Sequence, residues 1–484
     1  GMYKERCTLL KEEGSELEQT NQAPLSWGAS QAKSHQPKSQ QKSQGTIGAL
    51  DGVRAIAALL VVSVHVSEIG GIPWNINQNP LATALAFLGR TGVVLFFVLS
   101  GFLLFMPYAR ALLFQEAWPS IRKFYIRRIF RIWPGYYVTL AVMILLFAQK
   151  YLQPAYWKQL GLFLTFFMDS SPQTWQQIDG PFWTLAIEWQ FYMLLPLIAF
   201  CFALLVRRFA SSPQQRLKAT LLCCLGVISW GMIIRGLGLT YQRHPDMNLL
   251  LPHPVLNVLF FFLFGIQGKY LEIFALGMIV SSCYIYAQDP AVGAALKARL
   301  QRLSNWVWGA GWIVLVCLAL WQVEAETDRN ATPNFTALGF LHPLRSFYAW
   351  LGEPIAGIGY ALCILAILFG SPALRWLFET RFLRWIGMLS YGIYMWHLNL
   401  MLYFSATILP HLPNIGGTLG KDLALWGFVF IAVIPISYLF YKTIEEPGIR
   451  LGARLTGKKV EPSQSRVPGA FLSSRSFFAR FLRS

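Results

Sequence analysis

The sequence predicts an all-α polytopic membrane protein with about ten transmembrane helices, both termini cytoplasmic, and two short re-entrant or interfacial apolar segments. Composition is the first reason. Of 484 residues 55% are hydrophobic and 13% charged, with a mean hydropathy of +0.44, where a soluble domain carries roughly 25% charged residues. The second is the recurrence of apolar runs of about 20 residues, each long enough for a ~30 Å hydrocarbon core. These runs are continuously apolar rather than alternating, which excludes a transmembrane barrel. The third is the placing of Lys and Arg, which crowd on alternate connections between the runs.

In chain order, residues 1–48 are rich in Gln, Ser, Lys and Glu and read as a disordered cytoplasmic leader. No cleavable signal is expected, since a polar leader precedes the first apolar run. Residues 49–447 form the transmembrane domain, with spans expected near 51–69, 84–106, 133–149, 181–206, 219–240, 269–287, 306–322, 345–369, 385–405 and 423–443. The apolar pieces 161–168 and 255–266 are too short to cross upright. With the N-terminus inside, the inner connections hold Arg110, Arg122, Lys123, Arg127, Arg128 and Arg131, then Arg207, Arg208, Arg216 and Lys218, and later Lys297, Arg299, Arg302, Arg375, Arg381 and Arg384. The outer ones hold Lys150, Lys158, Arg243, Arg329 and Lys421. Counting either short piece as a span would reverse every later loop and break this alternation. Residues 448–484 read as a basic cytoplasmic tail. Within it Phe471, Phe477, Phe478, Phe481 and Leu482 share one arc of a helix that would lie on the inner leaflet.

The formal net charge of +18 therefore reports topology and anionic lipid headgroups, and no nucleic-acid partner is expected. Of seven cysteines, all but Cys7 fall within apolar runs, where Cys behaves as a small hydrophobe. No CxxC or Cys/His metal spacing appears, so neither disulfides nor a bound metal is expected.

Chemistry enters with the first span. A helix turns about 100° and rises ~1.5 Å per residue, so Arg54 and His65 differ by about 20° in direction and roughly 16 Å in height. Asp51 and Glu68 fall on the same face. Ionisable groups inside a span are costly and mark functional sites by default. Glu188, in Trp183-Thr184-Leu185-Ala186-Ile187-Glu188, and His397, in Ser390-Tyr391-Gly392-Ile393-Tyr394-Met395-Trp396-His397, are expected at a depth comparable with His65 on other helices. A histidine oriented by a carboxylate is the usual general base. Arg128 and Arg131 share a helix face at the inner boundary, and two guanidinium forks suit a phosphate. Each residue also has a plainer reading. Arg54, Arg128 and Arg131 would serve as inner-boundary anchors meeting lipid phosphate, His65 as a buried histidine bonded to a backbone carbonyl, Glu188 and His397 as interhelical hydrogen bonds, and Glu68 as a solvated boundary group. Arg90 is expected to pair with an unidentified acid.

Together these stretches resemble the acyltransferase-3 family of integral membrane O-acyltransferases. The likeness runs through Leu50-Asp51-Gly52-Val53-Arg54 with His65 at an Arg-x10-His spacing, Gly92 to Phe102, Arg128-x-x-Arg131 with Trp133-Pro134, Trp183 to Tyr192, Phe274 to Met278, Ser390 to His397, and Ile444-Glu445-Glu446-Pro447. It implies a plasma-membrane enzyme that moves an acyl group, acetyl in the first instance, from cytoplasmic acyl-CoA to a hydroxyl of an extracytoplasmic carbohydrate. Acyl-CoA, the glycan acceptor and membrane lipids are then its partners, with acetyl-CoA a co-substrate rather than a resident cofactor. The resemblance marks Arg54, His65, Arg128, Arg131 and Glu188 as motif positions; with the geometry above, His65 and Glu188 are expected in catalysis and Arg54, Arg128 and Arg131 at the acyl donor, with Asp51, Glu68 and His397 in support. It also implies that a chain without the hydrolase-like domain of some members completes transfer alone or with a partner. His65 would be oriented by Glu188 or Glu68 and take the acceptor proton directly, or be acylated first. A transporter or flippase for a glycan or lipid-linked intermediate is the competing class, since buried His, Arg and Glu also line translocation paths. A third is an inactive scaffold of a glycan-assembly complex.

Overall fold

The computed structural model describes residues 38–71, 80–246, 251–326, 343–412 and 417–457. The chain divides into two compact units, Gly1–Ser43 and Gln44–Ser484. Of the first, only the helical start at residues 38–43 is described. All helical structure from residue 44 onward belongs to the second.

The described residues are mainly helical, without a strand. The helices are α1 (Lys38–Gly70), α2 (Pro80–Leu88), α3 (Gly92–Phe114), α4 (Ile121–Phe147), α5 (Trp157–Leu164), α6 (Phe182–Phe209), α7 (Pro213–Arg243), α8 (His253–Leu263), α9 (Leu271–Gln288), α10 (Ala294–Glu326), α11 (Tyr348–Phe369), α12 (Pro372–Arg375), α13 (Arg381–Thr407), α14 (Gly417–Phe428), α15 (Ile434–Phe440) and α16 (Glu446–Leu455). Among the described residues nine segments are long and apolar enough to cross a bilayer, α2–α3 counting as one and α14–α16 as another. The expected span missing from those nine, 385–405, lies in α13. Its 27 residues reach about 40 Å, but its polar and small residues dilute its hydropathy. The expected short pieces fall on α5 and α8, of 8 and 11 residues, well under the length of a crossing. The last helix continues to Leu455, so 448–455 belong to it. The expected tail helix at 471–482 and most of the leader lie outside the described residues.

In lipid every backbone group must be satisfied within the segment, which makes helices obligatory. Packing then depends on how closely backbones approach. Close crossings fall at glycines, two of which, Gly101 and Gly277, belong to the sequence motifs. A Cβ on Gly101 of α3 would stand 2.1 Å from the Phe274 carbonyl oxygen of α9, and one on Gly277 2.1 Å from the Val98 carbonyl oxygen. These two helices form one of the most extensive contacts in the bundle. Between α1 and α13, a Cβ on Gly387 would meet the Asp51 carbonyl oxygen at 1.8 Å. The last crossing is relaxed by two π-helical stretches, Val429–Val433 and Tyr441–Glu445. Buried ion pairs tie the ends of α7, α9 and α11. Arg235 bonds Glu272 at 2.8 Å and Glu353 at 2.6 Å. Lys269 bonds Asp169 and Ser170.

Candidate active site

Arg128 and Arg131 stand three residues apart on α4, so they share a face. Arg127 turns away and donates through Nε to Thr456 Oγ1 at 3.0 Å. That shared face opens on a cavity of about 210 Å³ lined by Arg54, Ser100, Arg128, Arg131, Thr184, Glu188, Tyr192, Ser390, Tyr391 and Tyr394, with apolar residues of α3 from Val93 to Leu104. The eleven rises from Val93 to Leu104 give it a length of ~16 Å along the helix axis.

At one end the three guanidinium groups gather. Arg54 lies 3.5 Å from Asp51. Arg128 and Arg131 have no carboxylate within ion-pair distance among the described residues, and the buried Nε of Arg128 has no hydrogen-bond partner there. Arg54, Arg128 and Arg131 are within electrostatic reach of one another and of Glu188 and Tyr192. Glu445, buried at the end of the last crossing, also lies within reach of Arg54 and Arg131. Glu188 accepts hydrogen bonds from Ser100 Oγ at 2.7 Å and from Tyr192 OH.

At the other end Thr184 Oγ1 and Tyr394 OH share a hydrogen bond at 2.5 Å, and both reach the Pro181 carbonyl. One turn further along α13 lies His397, fully buried. Its Nδ1 is 3.0 Å from the Ile393 carbonyl and 2.9 Å from that of Tyr394. Carbonyls only accept, so Nδ1 carries the proton and Nε2 is left as a lone pair. That Nε2 has no partner among the described residues. The His65 ring lies 5.3 Å from the His397 ring. His65 Nδ1–H donates to Glu68 Oε2 at 3.0 Å, which leaves its own Nε2 as the acceptor. Glu68 is held from behind by Arg90 at 3.5 Å, and Arg90 bonds Glu326 at 2.7 Å.

The structure thus brings the expected residues together as two groups. Arg54, Arg128, Arg131, Glu188 and Asp51 gather at the arginine end. His65, Glu68 and His397 gather beyond the Thr184–Tyr394 bond. Glu188 is not level with the histidines and does not orient His65, whose Nδ1 is taken by Glu68. Glu188 lies four residues from Thr184 toward the arginines and His397 three residues from Tyr394 the other way, a separation of about 10 Å in height. Depth reckoned from helix ends misleads because the ends are not flush. Helix α6 begins ~3 Å beyond Thr184, whereas α13 runs ~20 Å past Tyr394. Sequence reasoning missed Ser100, Tyr192, Thr184 and Tyr394 as site residues, although each sits in a motif, because a hydroxyl inside a span carries no pattern of its own; it missed Glu445 because nothing local shows which helix faces Arg54 and Arg131. It left the acid beside Arg90 unidentified. Glu68 and Glu326 both fill that place.

A family model described as an acyltransferase domain matches residues 47–442. The peptidoglycan O-acetyltransferase OatA of Listeria monocytogenes is 25% identical over 394 residues, 76% of this chain and 51% of that protein. YrhL of Bacillus subtilis, which bears a peptidoglycan O-acetyltransferase name provisionally, is 23% identical over 436 residues, 86% of this chain and 56% of its own. The chain therefore spans about half the length of the curated relatives it matches. No solved structure matches. A helical bundle of crossing length, holding an arginine-lined cavity and a carboxylate-bound histidine in motifs matched from 47 to 442, belongs to the acyltransferase-3 family of integral membrane proteins.

Proposed function

We propose that this protein transfers an acyl group, acetyl in the first instance, from acyl-CoA on the cytoplasmic side to a hydroxyl of a cell-wall carbohydrate on the other side. One observation carries the reading. A cavity floored by three arginines ends one helical turn short of a histidine pair, one of which has its Nδ1 fixed by a carboxylate. The Lys and Arg distribution puts the arginine end inside, and the names of the relatives support peptidoglycan as the acceptor class.

The donor phosphates rest on Arg128 and Arg131, with Arg54 behind them, since guanidinium forks pair phosphate oxygens two at a time. The pantetheine arm lies along the apolar face of α3, and the thioester reaches Thr184 and Tyr394. Opening of their hydrogen bond admits it to His65. His65 Nε2 takes the proton of the acceptor hydroxyl as its oxygen attacks the thioester carbonyl carbon. The C–S bond breaks, and the thiolate recovers the proton to leave as free CoA. Glu68 holds the His65 tautomer and balances the imidazolium. The second lone pair, on His397 Nε2, lies beside it to pass the proton on. A route through acyl-His65 uses the same groups in two steps. Glu188 acts on the donor side by setting Ser100 and Tyr192 and offsetting the arginine charge.

The test uses purified protein with labelled acetyl-CoA and extracted glycan. Label on sugar with wild type, lost in a correctly inserted His65→Ala variant, is the expected result. Glycan crossing vesicle membranes without covalent label would overturn it in favour of transport.

A further inference from the structure

The end of the bundle that carries His65 also carries an aromatic pair with no part in the acyl-transfer chemistry. Trp175, in the segment leading into α6, holds its ring 4.8 Å from the ring of Trp183 at 40°. Trp183 in turn lies 5.9 Å from Tyr270. Both tryptophans are only partly buried. Trp183 immediately precedes Thr184, the partner of Tyr394, and Tyr394 is one turn from His397. The pair therefore stands at the start of a helix whose next residue closes on Tyr394, one turn of α13 from His397.

The backbone there is strained. Gln176 and Ile178 adopt φ of 54° and 66°. For a β-branched residue this left-handed conformation is a true outlier, and such strain persists at ligand clamps where the surroundings over-determine it. Asp179 follows, 1% exposed, with neither carboxyl oxygen hydrogen-bonded among the described residues. Buried polar groups almost always find partners, and the groups within reach of this carboxyl are Tyr136 and Tyr394 on the inner side of the segment, which leaves the outer side to the aromatic pair and the glutamines. Gln173, Gln176 and Gln177 are exposed on the same segment, and each amide both donates and accepts. A pyranose ring presents an apolar C–H face bounded by hydroxyls, which matches flat aromatic faces bounded by exposed amides. An acyl chain would leave these polar groups unpaired.

We propose that Trp175 and Trp183, with residues 173–179, form the acceptor subsite, seating a pyranose ring of the glycan with its receiving hydroxyl toward His65. This rests on the acyl-transfer reading of the site. The test uses the full chain in nanodiscs with labelled acetyl-CoA and a soluble β-1,4-linked N-acetylglucosamine tetramer. Trp175→Ala should raise KM for the tetramer about tenfold, the factor matching the loss of one ring contact, while KM for acetyl-CoA moves less than about twofold. Trp175→Phe should recover most of the tetramer affinity. An unchanged tetramer KM in Trp175→Ala, or an equal rise in both KM values, would overturn the subsite. Failure of the wild type to label any glycan would instead overturn acyl transfer itself, and it is read before any variant is made.

Discussion

His65 and His397 sit with their rings 5.3 Å apart, yet their surroundings differ. His65 is held by a carboxylate and is part-exposed, while His397 is held by two backbone carbonyls and sealed. The first suits a base that becomes charged in the reaction, since Glu68 balances the imidazolium. The second suits a neutral relay. His65→Ala should lower transfer by about 10²- to 10⁴-fold, the usual worth of a general base, without changing insertion, as read by label on glycan at equal protein. Replacing Arg128 and Arg131 together with Gln should raise KM for acetyl-CoA at least about tenfold, since charge-assisted bonds to phosphate are lost. Isothermal titration with CoA checks it, and unchanged affinity would reject the assignment. Tyr394→Phe removes one side of the bond that closes the cavity. It should raise hydrolysis of acetyl-CoA measured without acceptor, because water then reaches the thioester.

At the scale of elements, two features dominate, the α3–α9 crossing and the segment before α6. Gly277→Leu would drive a side chain into the Val98 backbone and should destabilise the bundle by about 1–3 kcal/mol or more, seen as a fall in thermal stability in detergent. In the segment before α6, burial pushes the Asp179 carboxyl well above its ordinary value of 3.8, with Tyr136 of α4 and Tyr394 of α13 facing it. A carboxyl raised in the folded state contributes its stability fully below the unfolded value and loses it as pH rises through the folded one. Asp179→Asn should therefore flatten the decline of melting temperature with rising pH above about pH 4; an identical slope in the variant would contradict this. These elements also show what was legible beforehand. The stripe Asp51, Arg54, His65 and Glu68 could be read directly, because helical periodicity alone sets which residues of one helix share a face. Glu188 with Ser100, or Arg90 with Glu326 at a separation of 236 residues, could not, because such pairs depend on how two helices rotate and how high each stands. Nine of the ten expected spans were legible for a related reason, since length and apolarity act locally.

For the whole molecule, the arrangement is a polarised one. The three arginines of the cavity lie toward one end, and the histidines and the segment before α6 toward the other. Ten crossings would return both ends of the chain to the same side. Cysteines introduced singly at Arg208 and at Lys158 should label from opposite faces of sealed vesicles. Labelling of both from one face would refute the topology and with it the two-sided reaction. The central claim is that acyl groups cross the membrane within this bundle. The most direct measurement places labelled acetyl-CoA on one side of proteoliposomes and impermeant glycan on the other. Label on the glycan only when acetyl-CoA faces the end bearing Arg54, Arg128 and Arg131 is the result expected. Transfer only when donor and acceptor share a side would contradict it.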